Sequence, residues 1–150
     1  MTAPKKVQLI TDGACLGNPG PGGWAAILRY GEKKKELWGS EPNTTNNRME
    51  ITAALQGLRA LREGCEVEVV TDSEYLKNGI TTWIHGWKRK GWMTAAKKPV
   101  VNQDLWKALE EEVARHKTQW VWTRGHSNHS DNNRCDDLAT RAAREQTSSP

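Results

Sequence analysis

Alternation of apolar and polar residues along the chain predicts five β-strands. Short runs rich in β-branched and aromatic residues, each bounded by turn-forming residues, are typical of strands. Only a turn at Gly31 and Glu32 separates the second run from the third, so the first three runs predict a hairpin meander. The five predicted strands cover residues 5–12, 24–30, 34–40, 67–71 and 118–123.

Apolar residues at helical spacing predict helices between and after these strands. The first covers residues 44–64, with Thr and Asn residues at its start and Gly64 as its stop. A second helical region opens at Ser73, a third helix covers residues 102–116, and a last helix covers residues 135–146. The Gly- and Pro-rich stretch GACLGNPGPGG, residues 13–23, predicts a loop.

This order of elements predicts an α/β fold. Three adjacent strands followed by alternating helices and strands make a five-stranded mixed sheet, with an antiparallel meander, then parallel strands, and helices on both faces. The chain shows no internal repeat or linker, so residues 1–150 are expected to form a single domain. Its core spans about residues 6–145, and the polar residues 146–150 are expected to form a flexible tail.

Composition and charge narrow the class of protein. With 36% apolar residues and a mean hydropathy of -0.79, the chain fits a globular domain. It shows no membrane span and no secretory signal, and its three cysteines suit reduced thiols, so we expect a cytoplasmic protein. We also expect a monomer.

Positive charge is concentrated in one segment of the chain. No acidic residue lies between Glu74 and Asp104, and the six cations there leave the rest of a +4 chain at about -2. Residues 83–98 interleave three tryptophans with five of these cations. Tryptophans at helical spacing usually pack in a core. Core packing does not explain why cations are clustered between them. We therefore predict a basic protrusion that contacts nucleic-acid phosphates without reading sequence.

Two predicted strands end on an aspartate, in the stretches LITDG and VVTDS. Either aspartate alone is explained equally well by the preference of Asp for turns. If the two strands are neighbours, however, Asp12 and Asp72 lie side by side. Two carboxylates about 4 Å apart repel by roughly 4 kcal/mol at an effective dielectric constant near 20, so such a pair needs a compensating cation or proton.

Two further carboxylates lie on the inner faces of predicted helices. Glu50 shares its face with Ala54 and Gly57, although a first-turn Glu is also favoured by the helix dipole. Asp136 shares a face with small residues, whereas Asp137 shares one with arginines. Four carboxylates suit a hard divalent ion, Mg2+ or Mn2+.

Other interpretations of the chemical residues are weaker. A zinc site built from His126, His129 and Cys135 fits no usual four-ligand spacing, and His126 makes more sense as a titratable partner for acid chemistry. The glycines of the predicted loop are followed by a strand, so they lack the helix N-terminus of a nucleotide site.

Six motifs in order carry a resemblance to a known family. They are TDGACLGNPGPGGW, TTNNRME, TDSEY, WIHGWKRKGW, NQDLW and GHSNHSDNNRCDDLA. Over residues 6–145 the chain resembles bacterial ribonuclease HI of the subtype with a basic protrusion, which implies the ribonuclease H-like fold. The resemblance also implies an endoribonuclease that hydrolyses the RNA strand of RNA/DNA hybrids by a two-metal-ion mechanism, leaving 3'-hydroxyl and 5'-phosphate ends.

The resemblance also implies roles for individual residues. Two Mg2+ ions, with Mn2+ as the alternative, would be bound with substrate by the four carboxylates, and His126 would assist proton transfer or product release. Thr45 and Asn102 match a phosphate pocket for the DNA strand. The positions that match RNA contacts are Cys15, Asn18, Asn46, Asn47 and Glu74, and those that match the DNA-side channel are Trp83, Lys88, Arg89 and Lys90. The metal-binding carboxylates would be Asp12, Glu50, Asp72 and Asp136.

The sequence departs from the family at two positions and leaves rival functions to weigh. Glu74 stands where relatives often carry a neutral side chain, so it could weaken RNA binding or alter metal dependence, and Asn128 replaces a common glycine.

The main rival is a non-catalytic RNA/DNA hybrid-binding module, which the four intact acids disfavour. Resolvase or transposase cores lack TTNNRME and the basic protrusion, and a phosphotransferase would need a second domain.

Overall fold

The computed structural model describes residues 5–123 and 130–150, and within them the strands form one mixed sheet. The sheet order is β3-β2-β1-β4-β5. The first three strands pair antiparallel, whereas β4 and β5 run parallel to β1, which confirms the predicted topology. The strands are β1 (Lys5–Cys15), β2 (Gly20–Tyr30), β3 (Lys33–Thr44), β4 (Cys65–Thr71) and β5 (Lys117–Trp122).

Helices cover both faces of this sheet, as predicted. Leu9 and Val69 point to the face packed by Leu58 and by the fully buried Trp106. On the other face Ile10 and its neighbours pack against the last helix. Successive strand residues therefore serve opposite halves of the core. The helices are α1 (Asn46–Arg59), α2 (Glu74–Asn78), α3 (Ile84–Arg89), α4 (Gln103–Arg115) and α5 (Ser130–Glu145), with a π-helical turn at Gly79–Trp83 between α2 and α3.

The predicted loop at residues 13–23 is mostly wrong, because β1 continues to Cys15 and β2 already begins at Gly20. Gly13 and Gly23 lie in strands where helices approach the sheet closely. A Cβ atom on Gly23 would lie 2.2 Å from the carbonyl oxygen of Ala139 in α5. Glycine here permits close helix-to-sheet packing, which is one of its ordinary uses within strands.

Two helix boundaries also differ from prediction. Helix α1 ends at Arg59 with Ala60 as its C-cap, so Gly64 lies in the connection to β4 and does not stop the helix. Helix α5 begins at Ser130, five residues before the predicted start. Its first turn is polar and is held by ion pairs, including the bidentate pair between Asp131 and Arg29 of β2.

The C-terminal tail contacts the edge strand β3. The backbone N–H of Ser149 donates to the carbonyl oxygen of Trp38 (2.8 Å), and the backbone N–H of Trp38 donates to Ser149 Oγ (3.1 Å). No helix within the described ranges is long and apolar enough to cross a membrane.

Candidate active site

The ends of two parallel strands bring carboxylates together at one edge of the sheet. Ile10 pairs with Val70 across β1 and β4, so Asp12 and Asp72 follow at equivalent positions. Glu50 joins them from α1, and one carboxylate oxygen of each residue lies within 4.8 Å of the others. Asp12 and Glu50 are buried, whereas Asp72 is exposed. The predicted juxtaposition of these three residues is therefore observed.

Gly13 fixes the distance between β1 and α1 at this cluster. Its backbone N–H donates both to Asp12 Oδ1 (2.9 Å) and to Glu50 Oε1 (3.1 Å). A Cβ atom at this position would lie 2.6 Å from the backbone nitrogen of Glu50 and 2.7 Å from the carbonyl carbon of Met49. The absence of a side chain thus lets α1 lie directly on the strand and brings the Glu50 carboxylate to the cluster.

Burial and mutual repulsion raise the pKa values of two carboxylates in the cluster. Burial, followed by the charges of Asp72 and Asp136 and a hydrogen bond with Asp136, raises the pKa of Asp12 to about 8. Burial, followed by the charges of Asp12 and Asp72, raises the pKa of Glu50 well above its usual value. Glu50 Oε2 is buried without a hydrogen-bond partner among the described residues. Without a cation, the site is expected to retain protons near neutral pH.

Asp136 of α5 lies beside Asp12 but is not one of the three mutually close carboxylates. Its charge helps to raise the pKa of Asp12. Asp136 is half-buried whereas the adjacent Asp137 is exposed, as their different helical faces predict. Cys135 points into the core, with its Sγ 3.3 Å from the carbonyl oxygen of Ala25 and 3.5 Å from that of Ile10. Burial, followed by the charges of the four carboxylates, raises the pKa of this thiol well above its usual value. His126, Asn128 and His129 lie outside the described residues.

Several residues predicted to contact RNA meet beside the start of α1. Asn18 Oδ1 accepts a hydrogen bond from the backbone N–H of Asn46 (3.1 Å). Cys15 Sγ lies 3.4 Å from the carbonyl oxygens of both Gly20 and Thr44. Asn46 and Asn47 are exposed at the N-terminus of α1, and Glu74 is exposed in the first turn of α2.

Thr45 and Asn102, the two residues predicted to form a phosphate pocket, are connected by Arg48. Thr45 caps α1 by accepting from the backbone N–H of Arg48 (3.2 Å), and the guanidinium of Arg48 donates to Asn102 Oδ1 (3.2 Å). Asn102 Nδ2 donates to the hydroxyl of Tyr75 (3.0 Å). Arg48 and Tyr75 lie within two of the six motifs, yet sequence reasoning did not single them out. Their role depends on contacts between distant parts of the chain.

The basic protrusion combines packed tryptophans with cations in different environments. Trp87 and Trp92 are partly buried against the core, whereas Trp83 is 41% exposed and makes an edge contact with Tyr75. Lys88 Nζ lies 2.9 Å from a carboxylate oxygen of Glu110 in α4. Arg89 and Lys90 are exposed. The protrusion is therefore anchored by its aromatic residues and by one ion pair.

Comparison with known proteins shows similarity over nearly the whole chain. The sequence model of the family described as RNase H matches residues 4–144. Ribonuclease H of Solibacter usitatus is 78% identical over 145 residues, which cover 97% of this chain and 99% of that protein. Ribonuclease HI of Neisseria meningitidis is 58% identical over 137 residues, covering 91% of this chain and 94% of that protein. The crystal structure of LC9-RNase H1, a type 1 RNase H with the type 2 active-site motif, matches with a TM-score of 0.90 and 33% identity over 99% of this chain and 77% of that chain.

Proposed function

The chain belongs to the RNase H family, which cleaves the RNA strand of RNA/DNA hybrids, and we propose that it does so with Mg2+ held by its carboxylate cluster. The proposed ligands are Asp12, Glu50, Asp72 and Asp136. Mn2+ is the alternative ion, and two ions bind when substrate is present. Cleavage leaves a 5'-phosphate and a 3'-hydroxyl.

The observation that carries the metal proposal is the buried oxygen of Glu50 that has no hydrogen-bond partner among the described residues, on a side chain that lies beside two further carboxylates. A buried carboxylate without a partner is unfavourable, and a hard divalent cation is the ligand that an all-oxygen donor set suits. The raised pKa values of Asp12 and Glu50, which are caused first by burial and then by neighbouring carboxylates, agree with this proposal. When bound, two divalent ions supply the positive charge that stabilises an in-line displacement at phosphorus.

The chain's own residues hold and order this site. Asp12 and Glu50 lose their protons when a cation binds, while the backbone N–H of Gly13 keeps donating to both carboxylates. Asp72 and Asp136 approach the cluster from β4 and α5. We assign proton transfer, or assistance to product release, to His126, which precedes α5 in sequence.

Substrate binding is proposed to use two surfaces, one for each strand. Thr45 and Asn102 bind a phosphate of the DNA strand. Recognition of RNA needs contacts to 2'-hydroxyl groups through the minor groove, for which amide side chains can both donate and accept. On the RNA side we place Cys15, Asn18, Asn46, Asn47 and Glu74, and in the DNA-side channel Trp83, Lys88, Arg89 and Lys90.

The test uses one RNA/DNA hybrid whose two strands carry different labels. The protein is incubated with it in Mg2+, in Mn2+ and in EDTA, beside RNA/RNA and DNA/DNA duplexes. We expect cuts in the RNA strand only, in the presence of the divalent ion and in neither control duplex. Analysis of the product ends then checks for 5'-phosphates and 3'-hydroxyls.

Hybrid binding without any cut would contradict this proposal and favour a non-catalytic hybrid-binding module. Cleavage that continues in EDTA would refute the metal assignment alone. The monomeric state and the cytoplasmic location stay predictions, and sedimentation of the pure protein would check the first of them.

A further inference from the structure

The side-chain amide of Asn102 is held at both ends by hydrogen bonds of opposite polarity. Its Oδ1 accepts from Arg48 Nη1 (3.2 Å), and its Nδ2 donates to the Tyr75 hydroxyl (3.0 Å). A flipped amide would place its N–H groups against the guanidinium, which has only donors. The orientation of the amide is therefore set by these two neighbours.

Each neighbour is itself fixed by further contacts. Arg48 binds both carboxylate oxygens of Asp104, at 3.1 and 3.0 Å, so its charge is balanced and its planar group is oriented. The Tyr75 hydroxyl also accepts from the indole N–H of the buried Trp106 (3.3 Å), and the two rings lie 5.3 Å apart. The amide therefore lies in a preformed frame built from α1, α2 and α4.

This frame leaves one amide hydrogen of Asn102 to bind a ligand. Nδ2 carries two hydrogens, and within residues 5–123 and 130–150 it has a single partner, Tyr75. Arg48 also reaches the other side of the proposed phosphate pocket, since its backbone N–H donates to Thr45 Oγ1. On the proposed function, in which Thr45 and Asn102 bind a DNA-strand phosphate, we propose that Tyr75 and Arg48 are positioning residues that present the free Asn102 N–H to that phosphate.

The change that tests this role most cleanly is Tyr75→Phe, which removes one neutral hydroxyl and retains the aromatic ring. An oriented hydrogen bond is worth about 0.5–1.5 kcal/mol, so we expect the KM for the hybrid to rise about two- to tenfold. The value of kcat should stay near wild type, because the metal-binding carboxylates are untouched. Arg48→Lys retains the charge but loses the planar fork, and we expect it to shift KM in the same direction.

A matched control exists on β5. Thr118→Val also deletes a hydroxyl that accepts from a tryptophan indole N–H, that of Trp120 (3.1 Å). Thr118 pairs with Val67 on β4, four residues before the end of that strand. The control therefore carries a similar structural perturbation at a distance from the proposed pocket, and its KM should equal that of wild type.

A second readout reports on the phosphate itself. A series of hybrids carries a single uncharged methylphosphonate linkage at successive positions of the DNA strand. With the wild-type protein, the linkage at the pocket should raise KM more than linkages elsewhere. With Tyr75→Phe that position-specific penalty should shrink, and in Tyr75→Phe/Asn102→Ala the KM should be no higher than in Asn102→Ala alone.

The outcomes separate this inference from the function on which it rests. If Asn102→Ala and every methylphosphonate position leave KM unchanged, the phosphate pocket itself is refuted. If Asn102→Ala raises KM but Tyr75→Phe behaves as wild type, the positioning role is overturned and the pocket stands. An equal rise of KM in Thr118→Val would also overturn the positioning role, since it would trace the effect to reduced stability.

Discussion

Asp12 is the residue at which burial and charge repulsion act most directly on stability. Its folded-state pKa of about 8 lies far above its ordinary value of 3.8, so in the metal-free protein the folded state binds the extra proton. A group of this kind stabilises the fold fully below its unfolded pKa, and that stability is lost as the pH rises through the folded pKa. The metal-free protein should therefore lose stability between about pH 4 and pH 8.

We predict that Asp12→Asn abolishes hydrolysis and raises the melting temperature of the metal-free protein at pH 8. The amide cannot ionise, so the variant avoids the repulsion from Asp72 and Asp136, and its stability should vary less with pH. Thermal unfolding in EDTA at pH 6 and pH 8 measures both effects. Unfolding of the variant at 25 °C would show instead that the carboxylate is structural.

His116 should give the opposite pH dependence. Its Nδ1 accepts a hydrogen bond from the backbone N–H of Cys65 (3.0 Å), and its pKa is lowered from 6.5, chiefly by burial. Because the pKa of His116 is lowered by folding, its contribution to stability is fully present above about pH 6.5. That contribution is lost as the pH falls toward the pKa of His116 in the folded state.

We therefore predict that His116→Asn, which retains an acceptor but cannot titrate, loses less stability than wild type between pH 7.5 and pH 5. Urea unfolding of both proteins at the two pH values gives the difference directly. Because the Asp12 contribution is common to both proteins, it cancels in this comparison. Identical pH dependence would exclude His116 as the titrating group.

At the scale of single residues, sequence patterns located the carboxylates but not their supports. Strand-end position placed Asp12 beside Asp72, and helical spacing separated Asp136 from Asp137. Arg48 and Tyr75 could not be found in this way. They act through Asn102, which is 54 and 27 residues away in sequence, and no local periodicity encodes such a contact.

Among the elements, the π-helical turn between α2 and α3 packs closely against α4 at Gly79. A Cβ atom on Gly79 would lie 2.1 Å from the ring of Trp106, which is fully buried and cannot move aside. Gly86, in α3, has no atom within 4 Å of the same position. The two glycines therefore form a matched pair, one constrained by packing and one unconstrained.

We predict that Gly79→Ala lowers the free energy of unfolding by about 1–3 kcal/mol, because the added methyl group overpacks the site. Gly86→Ala should leave that free energy unchanged or raise it by up to about 1 kcal/mol, because Ala has the higher helix propensity. Chemical denaturation of both variants beside the wild-type protein measures the two changes in the free energy of unfolding. A stable Gly79→Ala protein would mean that α2 and the π-helical turn move easily relative to α4.

The errors in predicted element boundaries have a common physical origin. The glycines at residues 13–23 predict a loop, yet Gly13 and Gly23 occupy strands where a neighbouring helix lies too close for a side chain. The polar first turn of α5 carries no apolar pattern and is held instead by ion pairs of Asp131 with β2 and β3. Both features depend on tertiary contacts, which a local pattern does not contain.

For the whole molecule, charge is divided between a basic protrusion and a more acidic remainder. The structure subdivides the cations of the protrusion, since Lys88 is paired with Glu110 while Arg89 and Lys90 are exposed. A cation that already has a partner releases fewer counterions when it meets a phosphate. The three residues should therefore contribute unequally to binding.

We predict that Arg89→Gln/Lys90→Gln raises KM and flattens its dependence on salt. Each phosphate that the double variant no longer neutralises should reduce the log–log slope by up to about 0.9. Lys88→Gln should change the slope less. Initial rates on one hybrid at several salt concentrations give all three slopes. A wild-type slope in the double variant would exclude Arg89 and Lys90 from phosphate binding.

The close approach at Gly13 bears on the ion selectivity of the proposed metal site. Because the missing Cβ lets α1 lie close to β1, it sets how near the Glu50 carboxylate lies to the Asp12 carboxylate. Mg2+ requires oxygen ligands at about 2.0–2.1 Å, whereas Ca2+ takes them at about 2.3–2.6 Å. A Cβ atom at position 13 would lie 2.6 Å from the backbone nitrogen of Glu50, so a methyl group there would push α1 away from β1. Discrimination between two ions of equal charge would then be a matter of ionic radius, controlled by a residue that binds neither ion.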